Sequence, residues 1–425
     1  MRTRTTRLLG IAGIFALLAG CGSDGGEDVT DRQISGLSSC SVELEGYYYL
    51  GELMHFTGEL EAKAQARHQA LTLAINQINA AGGVQGKSLG LVRCDTGTDP
   101  ATAQAAMSEL AAASPLPAVI GPGPSASVLT AAPEATAAGK VMVSFSGTSP
   151  EITGLQDSGL VFRTCASDAI QGFVAASIAE REGIERVFII NRDDAYGNGL
   201  REVFTSHFTT AGGATDYAAY PTQGDYGEAA IIQSAMAFNP DAIFLVSFVD
   251  DGATFVNAAI AGGLESSVRW IISDGPKSQS FIDQLSDAAY LDNCLGTSPA
   301  APKGRDYENF FFAFQEAYSG EPNNFAANIY DAAYLLAIAM QQSSDPDDPA
   351  QIKNALAQLN SGTEVGAGDW EAVLQAQGTV DYQGASGPVD FDANGDVVSD
   401  IEEWTVRSGR ILSIGCFTPE GQTCL

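Results

Sequence analysis

Four side-chain hydroxyls crowd into positions 144–149, as Ser144, Ser146, Thr148 and Ser149 in the stretch "VMVSFSGTSPEIT" (141–153). Such groups donate hydrogen bonds without bringing a charge. Pro150 and Glu151 behind them read as the first turn of a helix, where free backbone N–H groups and the positive dipole end favour an anion. The chemistry this predicts is the holding of a carboxylate by neutral donors. A capping box between Thr148 and Glu151, with Pro150 in the first turn, explains part of the pattern. It leaves Ser146 and Gly147 without a task. Ser125, in "GPGPSAS" (121–127) after the apolar "PAVI", brings another hydroxyl to the end of a second apolar run.

A complementary set of side chains lies further along. "NRDDAYGNG", "SFVDDG" and "ISDG" each follow an apolar run and contribute Tyr196, Phe248, Asp250 and Asp274. An acid and aromatic rings facing neutral donors match what an amino-acid zwitterion needs, with the acid meeting the ammonium. Asp250 and Asp251 are read as turn and N-cap residues. Other chemistries find no support. "GPGPSAS" has prolines at 122 and 124, and a serine where a dinucleotide loop needs its third glycine. "DFDANGD" (390–396) starts like a calcium loop, but Ile401 occupies the position of the closing glutamate, and a tight turn on Asn394-Gly395 explains the same letters. His55, His68 and His207 are scattered without ligand spacing, and no CxxC, GxSxG, HExxH or P-loop occurs. No catalytic residue, metal or cofactor is therefore predicted.

The elements that must position these residues alternate between strand and helix. "GYYYLGEL", "SLGLVRCD", "PAVIG" and "VMVSF" read as strands, separated by helical stretches that include "TGELEAKAQARHQALTLAINQINAAGG", in which Leu60, Ala64, Leu71, Ala74, Ile75 and Ile78 keep helical spacing. The rhythm resumes after "VFRTCASD" with helices at 168–182, 197–211, 227–238 and 251–262 and strands "RVFII", "TDYAAY", "DAIFLV" and "RWIIS". Such alternation predicts an α/β fold with parallel, doubly wound sheets, here in two lobes divided near 160–168. Residues 304–359 read as mostly helical, and strand and turn signals follow. In open sheets of this kind ligands sit beyond the carboxyl ends of the strands, where both residue sets fall.

The chain has 425 residues and a formal net charge of −31. Arg2, Arg4 and Arg7, the short apolar run "LLGIAGIFALL" and "LAGC" predict an export signal over 1–20, with Cys21 the lipid-modified residue of a bacterial lipobox. Removing 1–20 takes away three arginines and no acid, so the charge becomes more negative, which argues against nucleic acid and anionic membrane surfaces as partners. Residues 22–39 are polar and Gly/Ser/Asp-rich and read as a flexible tether. Six further cysteines in an exported chain suggest disulfides. The pairing predicted is Cys416 with Cys424, Cys165 with Cys294 and Cys40 with Cys94.

Taken in order and spacing, the long 57–100 stretch, "VIGPGPSAS", "VSFSGTSPEIT", "FRTCASDAIQG", "DDAYGNGL", "SDG", "IYDAAYLLA" and "GASGPVDFDANGD" resemble the bacterial leucine/isoleucine/valine-binding proteins, a type I periplasmic solute-binding family. The resemblance covers nearly all of 44–415. It implies two doubly wound Rossmann-like lobes joined by three crossovers near 163–168, 293–299 and 397–402. One lobe would then comprise 41–165 plus 296–399 and the other 166–295 plus 400–415, with 416–425 a tail. It also implies that Ser125, Ser146 and Thr148 hold a ligand carboxylate, that Asp274 meets the ammonium, and that Tyr196, Phe248 and Phe325 line the side-chain pocket. Lys63 falls where leucine binders carry an aromatic, which puts leucine specificity in question and admits a polar or acidic ligand side chain; the alternative, a lysine solvated on the helix face, is preferred. The implied function is a lipid-anchored, non-enzymatic binding protein that delivers a branched-chain-like amino acid, or a related small carboxylate or amide, to an ABC permease in the inner membrane. The alternative is a receptor subunit of the same fold.

Overall fold

The computed structural model describes residues 32–299 and 303–424; the expected signal segment and Cys21 lie outside them. Six strands form the first sheet: β1 (Ser41–Leu44), β2 (Tyr48–Met54), β3 (Leu89–Asp95), β4 (Ala118–Ile120), β5 (Val141–Ser144) and β6 (Val161–Arg163), in the order β1-β3-β2-β4-β5-β6. All pairs are parallel except β1 with β3. Helices α1 (Glu61–Ala80), α2 (Pro100–Ala112) and α3 (Ser125–Ala137) make its crossovers. The strands are apolar on both faces because helices cover both; β2 is buried along its whole length.

The chain then enters a second sheet. Helices α4 (Asp168–Arg181), α5 (Ala195–Thr210), α6 (Glu228–Phe238) and α7 (Val249–Gly262) alternate with β7 (Arg186–Arg192), β8 (Ala214–Tyr220), β9 (Ala242–Val246), β10 (Arg269–Ile272) and β11 (Leu295–Pro299). After a helical segment and a small sheet of β12 (Thr363–Gly366), β13 (Val380–Gly384) and β14 (Gly387–Pro388), the strands β15 (Ile401–Arg407) and β16 (Arg410–Phe417) return to it. The order is β16-β15-β11-β10-β9-β7-β8, parallel from β8 to β11 and antiparallel through β15 and β16. Ser408 and Gly409, both at positive φ, make the two-residue turn that this closing hairpin requires. A division of the chain at residue 296 runs through β11, whose pairing partners are both in the second sheet.

The helix Ala326–Gln342 carries the core of the first lobe. It is apolar nearly all round and buried from Ala326 to Met340 apart from Asn328, as a helix enclosed on every side must be. Its one buried acid, Asp331, accepts from the Tyr382 hydroxyl, the Ala385 and Ser386 N–H groups and the Ser386 hydroxyl, and so fastens the helix to the turn between β13 and β14.

Two expectations are corrected here. The tether does not run to residue 39. From Arg32 the chain is docked: Arg32 N–H donates to the Gly46 carbonyl, Ser35 bridges to Ser114, and Ile34 and Leu37 pack on the core. The Glu109 carboxylate accepts from the backbone N–H groups of Ser38, Ser39 and Cys40 and from both serine hydroxyls. Partial burial pushes its pKa up, but these donors outweigh it and hold the group at about 2. Serines and a carboxylate thus turn a polar segment into a clasp. Second, Cys165 and Cys294 are separate buried thiols, whereas Cys40–Cys94 and Cys416–Cys424 are disulfides. Cys165 follows β6 in the first lobe and Cys294 precedes β11 in the second, so an even count does not bring them together. Cys416 lies within β16, so the expected tail begins inside a strand and folds back through the Cys424 N–H to the Cys416 carbonyl.

Peptide mapping without reduction will find the 40–94 and 416–424 links, with Cys165 and Cys294 alkylated only after unfolding. Closing a loop of 54 residues, the Cys40–Cys94 bond contributes about 4 kcal/mol by chain entropy. A double Cys→Ser variant should show a loss of that order in denaturant melts.

Candidate functional site

β5 ends at Ser144, and its hydroxyl donates to the Pro122 carbonyl while accepting from Gly147 N–H at 3.1 Å. This tight return explains Gly147. A Cβ there would sit 2.8 Å from both Ser144 Oγ and Val128 Cγ2. The predicted helix start is a short 3-10 turn over Pro150–Gly154, capped by Ser149 through Glu151 N–H. Thr148 is therefore not the cap; it remains buried at the site. Ser125 opens α3, and its Oγ accepts from Ser149 N–H at 3.1 Å, joining the two strand ends.

Behind this loop stands Arg163, the last residue of β6 and fully buried. One edge of its guanidinium pairs with Asp396, Nε to Oδ1 at 2.6 Å and NH2 to Oδ2 at 2.7 Å. NH1 takes the carbonyls of Gly147, Thr148 and Ser149. Peptide oxygens that would repel a carboxylate are thereby drawn to a cation. Two of the three acids of "DFDANGD" have protein tasks: Asp396 holds Arg163, and Asp392 accepts the N–H groups of Asn394 and Asp396 in the turn.

The second sheet supplies the opposite wall. Asp194 caps α5, which places Tyr196 in its first turn. Tyr196 Oη lies 2.8 Å from Asp274 Oδ1 and 2.9 Å from Ser273 Oγ, and accepts from Gly275 N–H. Gln171 Nε2 also donates to Asp274 at 3.1 Å. Phe248 stacks on Tyr196 with centroids 5.8 Å apart, and the Arg192 guanidinium lies 4.0 Å over the Phe248 ring. Arg192 pairs with Asp251, Asp194 and, from the other lobe, Glu59. Both acids lie inside α7, whose N-cap is Phe248, rather than at the cap: Asp251, at the third helical position, accepts from Phe248 N–H, and Asp250 accepts from Gln284. Asp168, at the first position of α4, is wholly enclosed; desolvation first and the Asp274 charge second push its carboxyl well up.

Ser125, Ser146, Thr148, Tyr196, Phe248, Asp274 and Phe325 all line one cavity of about 30 Å³, together with Leu60, Lys63, Arg67, Pro124 and Gly275. Phe325, at φ 68°, starts the long buried helix and stacks 5.4 Å from the Arg67 guanidinium. Lys63 is not solvated: it is 5% exposed, and its Nζ donates across the cleft to the Gly275 carbonyl at 2.5 Å. Desolvation, then the nearby Arg67 charge, holds its pKa down to about 7, and desolvation holds Arg67 down to about 9. Arg67 is a lining residue that no sequence motif marks. Its signal was present, because Leu60, Lys63, Arg67 and Leu71 follow the spacing of the buried face of α1.

Two outcomes follow for variants. Asp396→Ala leaves the buried Arg163 cation unpaired and should cost about 3–5 kcal/mol in denaturant melts. Lys63→Met should stabilise the protein without ligand. A lysine whose folded pKa lies at about 7 opposes folding fully below that pH, and the penalty fades as pH rises toward the unfolded value near 10.5. The gain in melting temperature over the parent should thus be largest at pH 6–7 and shrink by pH 10.

The model of the receptor family ligand binding region matches residues 66–407. BasB of Halobacterium salinarum, a chemotactic signal transduction system substrate-binding protein, is 27% identical over 86% of this chain and 89% of its own. An ABC transporter substrate-binding protein of Desulfitobacterium hafniense, solved in complex with Leu, is 27% identical with a TM-score of 0.68, covering 86% of this chain and 99% of that one. The leucine binding protein LivK of Thermotoga maritima superimposes with a TM-score of 0.76 at 24% identity, over 88% of this chain and 99% of that one. These relatives are binding proteins and not enzymes. With two doubly wound lobes enclosing one cavity at their strand ends, and a family match over most of its length, the chain belongs to the receptor ligand-binding-region family and has the type I periplasmic solute-binding fold.

Proposed function

We propose that this is an extracytoplasmic solute-binding protein that closes on a free amino acid and hands it to an ABC permease. The observation that carries the reading is the polarity of the cavity at the strand ends, lined by both lobes. Uncharged hydroxyls of Ser125, Ser146 and Thr148 stand on the first lobe and the Asp274 carboxylate on the second. An α-carboxylate and an α-ammonium fit these two sides as charge-assisted hydrogen bonds in a dry site. Tyr196, Phe248 and Phe325 would bound the side chain. The Leu complex of the Desulfitobacterium relative supports an amino-acid ligand. Export and anchoring through Cys21 belong to the same proposal and rest on the lipobox letters; among the described residues no helix is long and apolar enough to cross a membrane.

A second reading is favoured by the relative BasB, whose role is chemotactic. In that reading the closed form reports occupancy to a membrane partner. The binding step is common to both, and pull-down with a permease or with a chemoreceptor separates them.

The test is thermal unfolding of the full chain with single L-amino acids. A ligand at 100 times its dissociation constant should add about 2.7 kcal/mol of stability. Asp274→Ala should abolish the shift for amino acids. A shift that survives in that variant removes the ammonium role assigned to Asp274.

A further inference from the structure

Four lysine or arginine side chains are buried among the described residues: Lys63, Arg67, Arg163 and Arg192. Arg163 is paired with Asp396, and Arg192 with Asp251, Asp194 and Glu59. Lys63 and Arg67 make no ion pair with any described residue, and these two line the cavity. Lys63 reaches only the Gly275 carbonyl. Arg67 donates to the Asn324 carbonyl at 3.1 Å, lies 3.1 Å from His55 Nε2, and sits 5.6 Å from the Phe145 ring and 5.4 Å from the Phe325 ring. Buried cations without a counter-ion are costly, and proteins otherwise pair or expose them.

The lining of the cavity does not match a zwitterion alone. Among its lining residues Lys63 and Arg67 are basic and Asp274 is the one acid. An amino acid with a neutral side chain adds no net charge and leaves the excess in place. Asp274 is also committed to Tyr196 and Gln171. Both unpaired cations come from α1; Arg67 lies against the Phe325 ring, and Lys63 reaches across to Gly275, next to Asp274.

We infer that the ligand carries a second anionic group, and that this protein selects an amino dicarboxylate of the aspartate or glutamate class, its side-chain carboxylate held between Lys63 Nζ and the Arg67 guanidinium. The inference rests on the amino-acid reading above. Arg67 is held in place by the Asn324 carbonyl and lies beside both rings, which leaves it preorganised for an incoming carboxylate. Lys63 must release Gly275 to admit the ligand, so its bond across the cleft occupies the place the side-chain carboxylate takes.

The test is calorimetric titration of the full chain with L-glutamate, L-aspartate, L-glutamine and L-leucine. Tight binding of glutamate or aspartate, with glutamine and leucine at least about 10-fold weaker, is expected. Lys63→Met should weaken the acidic ligand about 10- to 100-fold, the loss of one charge-assisted hydrogen bond, and narrow its advantage over glutamine. Arg67→Met should do the same. Lys63→Met is expected to fold, and its melting curve checks this. Leucine or glutamine binding more tightly than both acids overturns the inference and leaves the amino-acid function standing. No heat with any of the four overturns both.

Discussion

The Arg163–Asp396 pair is the constraint on which the site depends. A guanidinium buried at the end of β6 must find an anion, and the anion comes from a turn 233 residues further along the chain. The remaining guanidinium edge then collects the three carbonyls of 147–149. A loop that could present either face of its peptides is thus left with its oxygens occupied. Its hydroxyls and N–H groups are what remain for Ser125, Ser144 and the cavity. No residue in this pair lines the cavity itself. The pair sets the sign of the field there because it decides which way the loop's dipoles lie.

The opposite wall obeys the same rule with different partners. Arg192 is surrounded by Asp251, Asp194 and Glu59, so its charge is spent on holding β7, α7 and the segment before α1 together. It also packs on Phe248, which in turn stacks on Tyr196. The aromatic wall is thus tied to the ion-pair cluster through Arg192. Glu59 and Lys63 both reach across from the first lobe. At these points the two lobes meet through polar contacts, Arg192 with Glu59 and Lys63 with the Gly275 carbonyl.

Much of this was legible beforehand. The alternation of β-rich apolar runs with amphipathic stretches forces a parallel doubly wound sheet, because each apolar strand needs cover on both faces. Ser125, Ser146, Thr148, Tyr196, Phe248 and Asp274 stand just past apolar runs, and strand ends are where such sheets bind ligands. Local letters were less reliable where two local explanations competed. Thr148 and Glu151 satisfy a capping box on paper, yet Ser149 caps the turn, because Thr148 is buried at the site. The serines of 38–39 read as tether until Glu109 supplies the acceptor.

What the chain's letters determined by themselves is the fold class and the place of the hydroxyl-rich 144–149 stretch at a strand end. Periodicity and turn chemistry are local, and a few residues suffice to express them. Only the tertiary structure decided which cations are paired, which cysteines meet, and that Lys63 faces a cavity. Each of those depends on what distant segments bring within a few ångströms. Asp396 reaches Arg163, Cys94 reaches Cys40, and no carboxylate among the described residues reaches Lys63 or Arg67 within ion-pair distance. Spacing along one helix records that Lys63 and Arg67 share a face with Leu71. It does not record what that face meets.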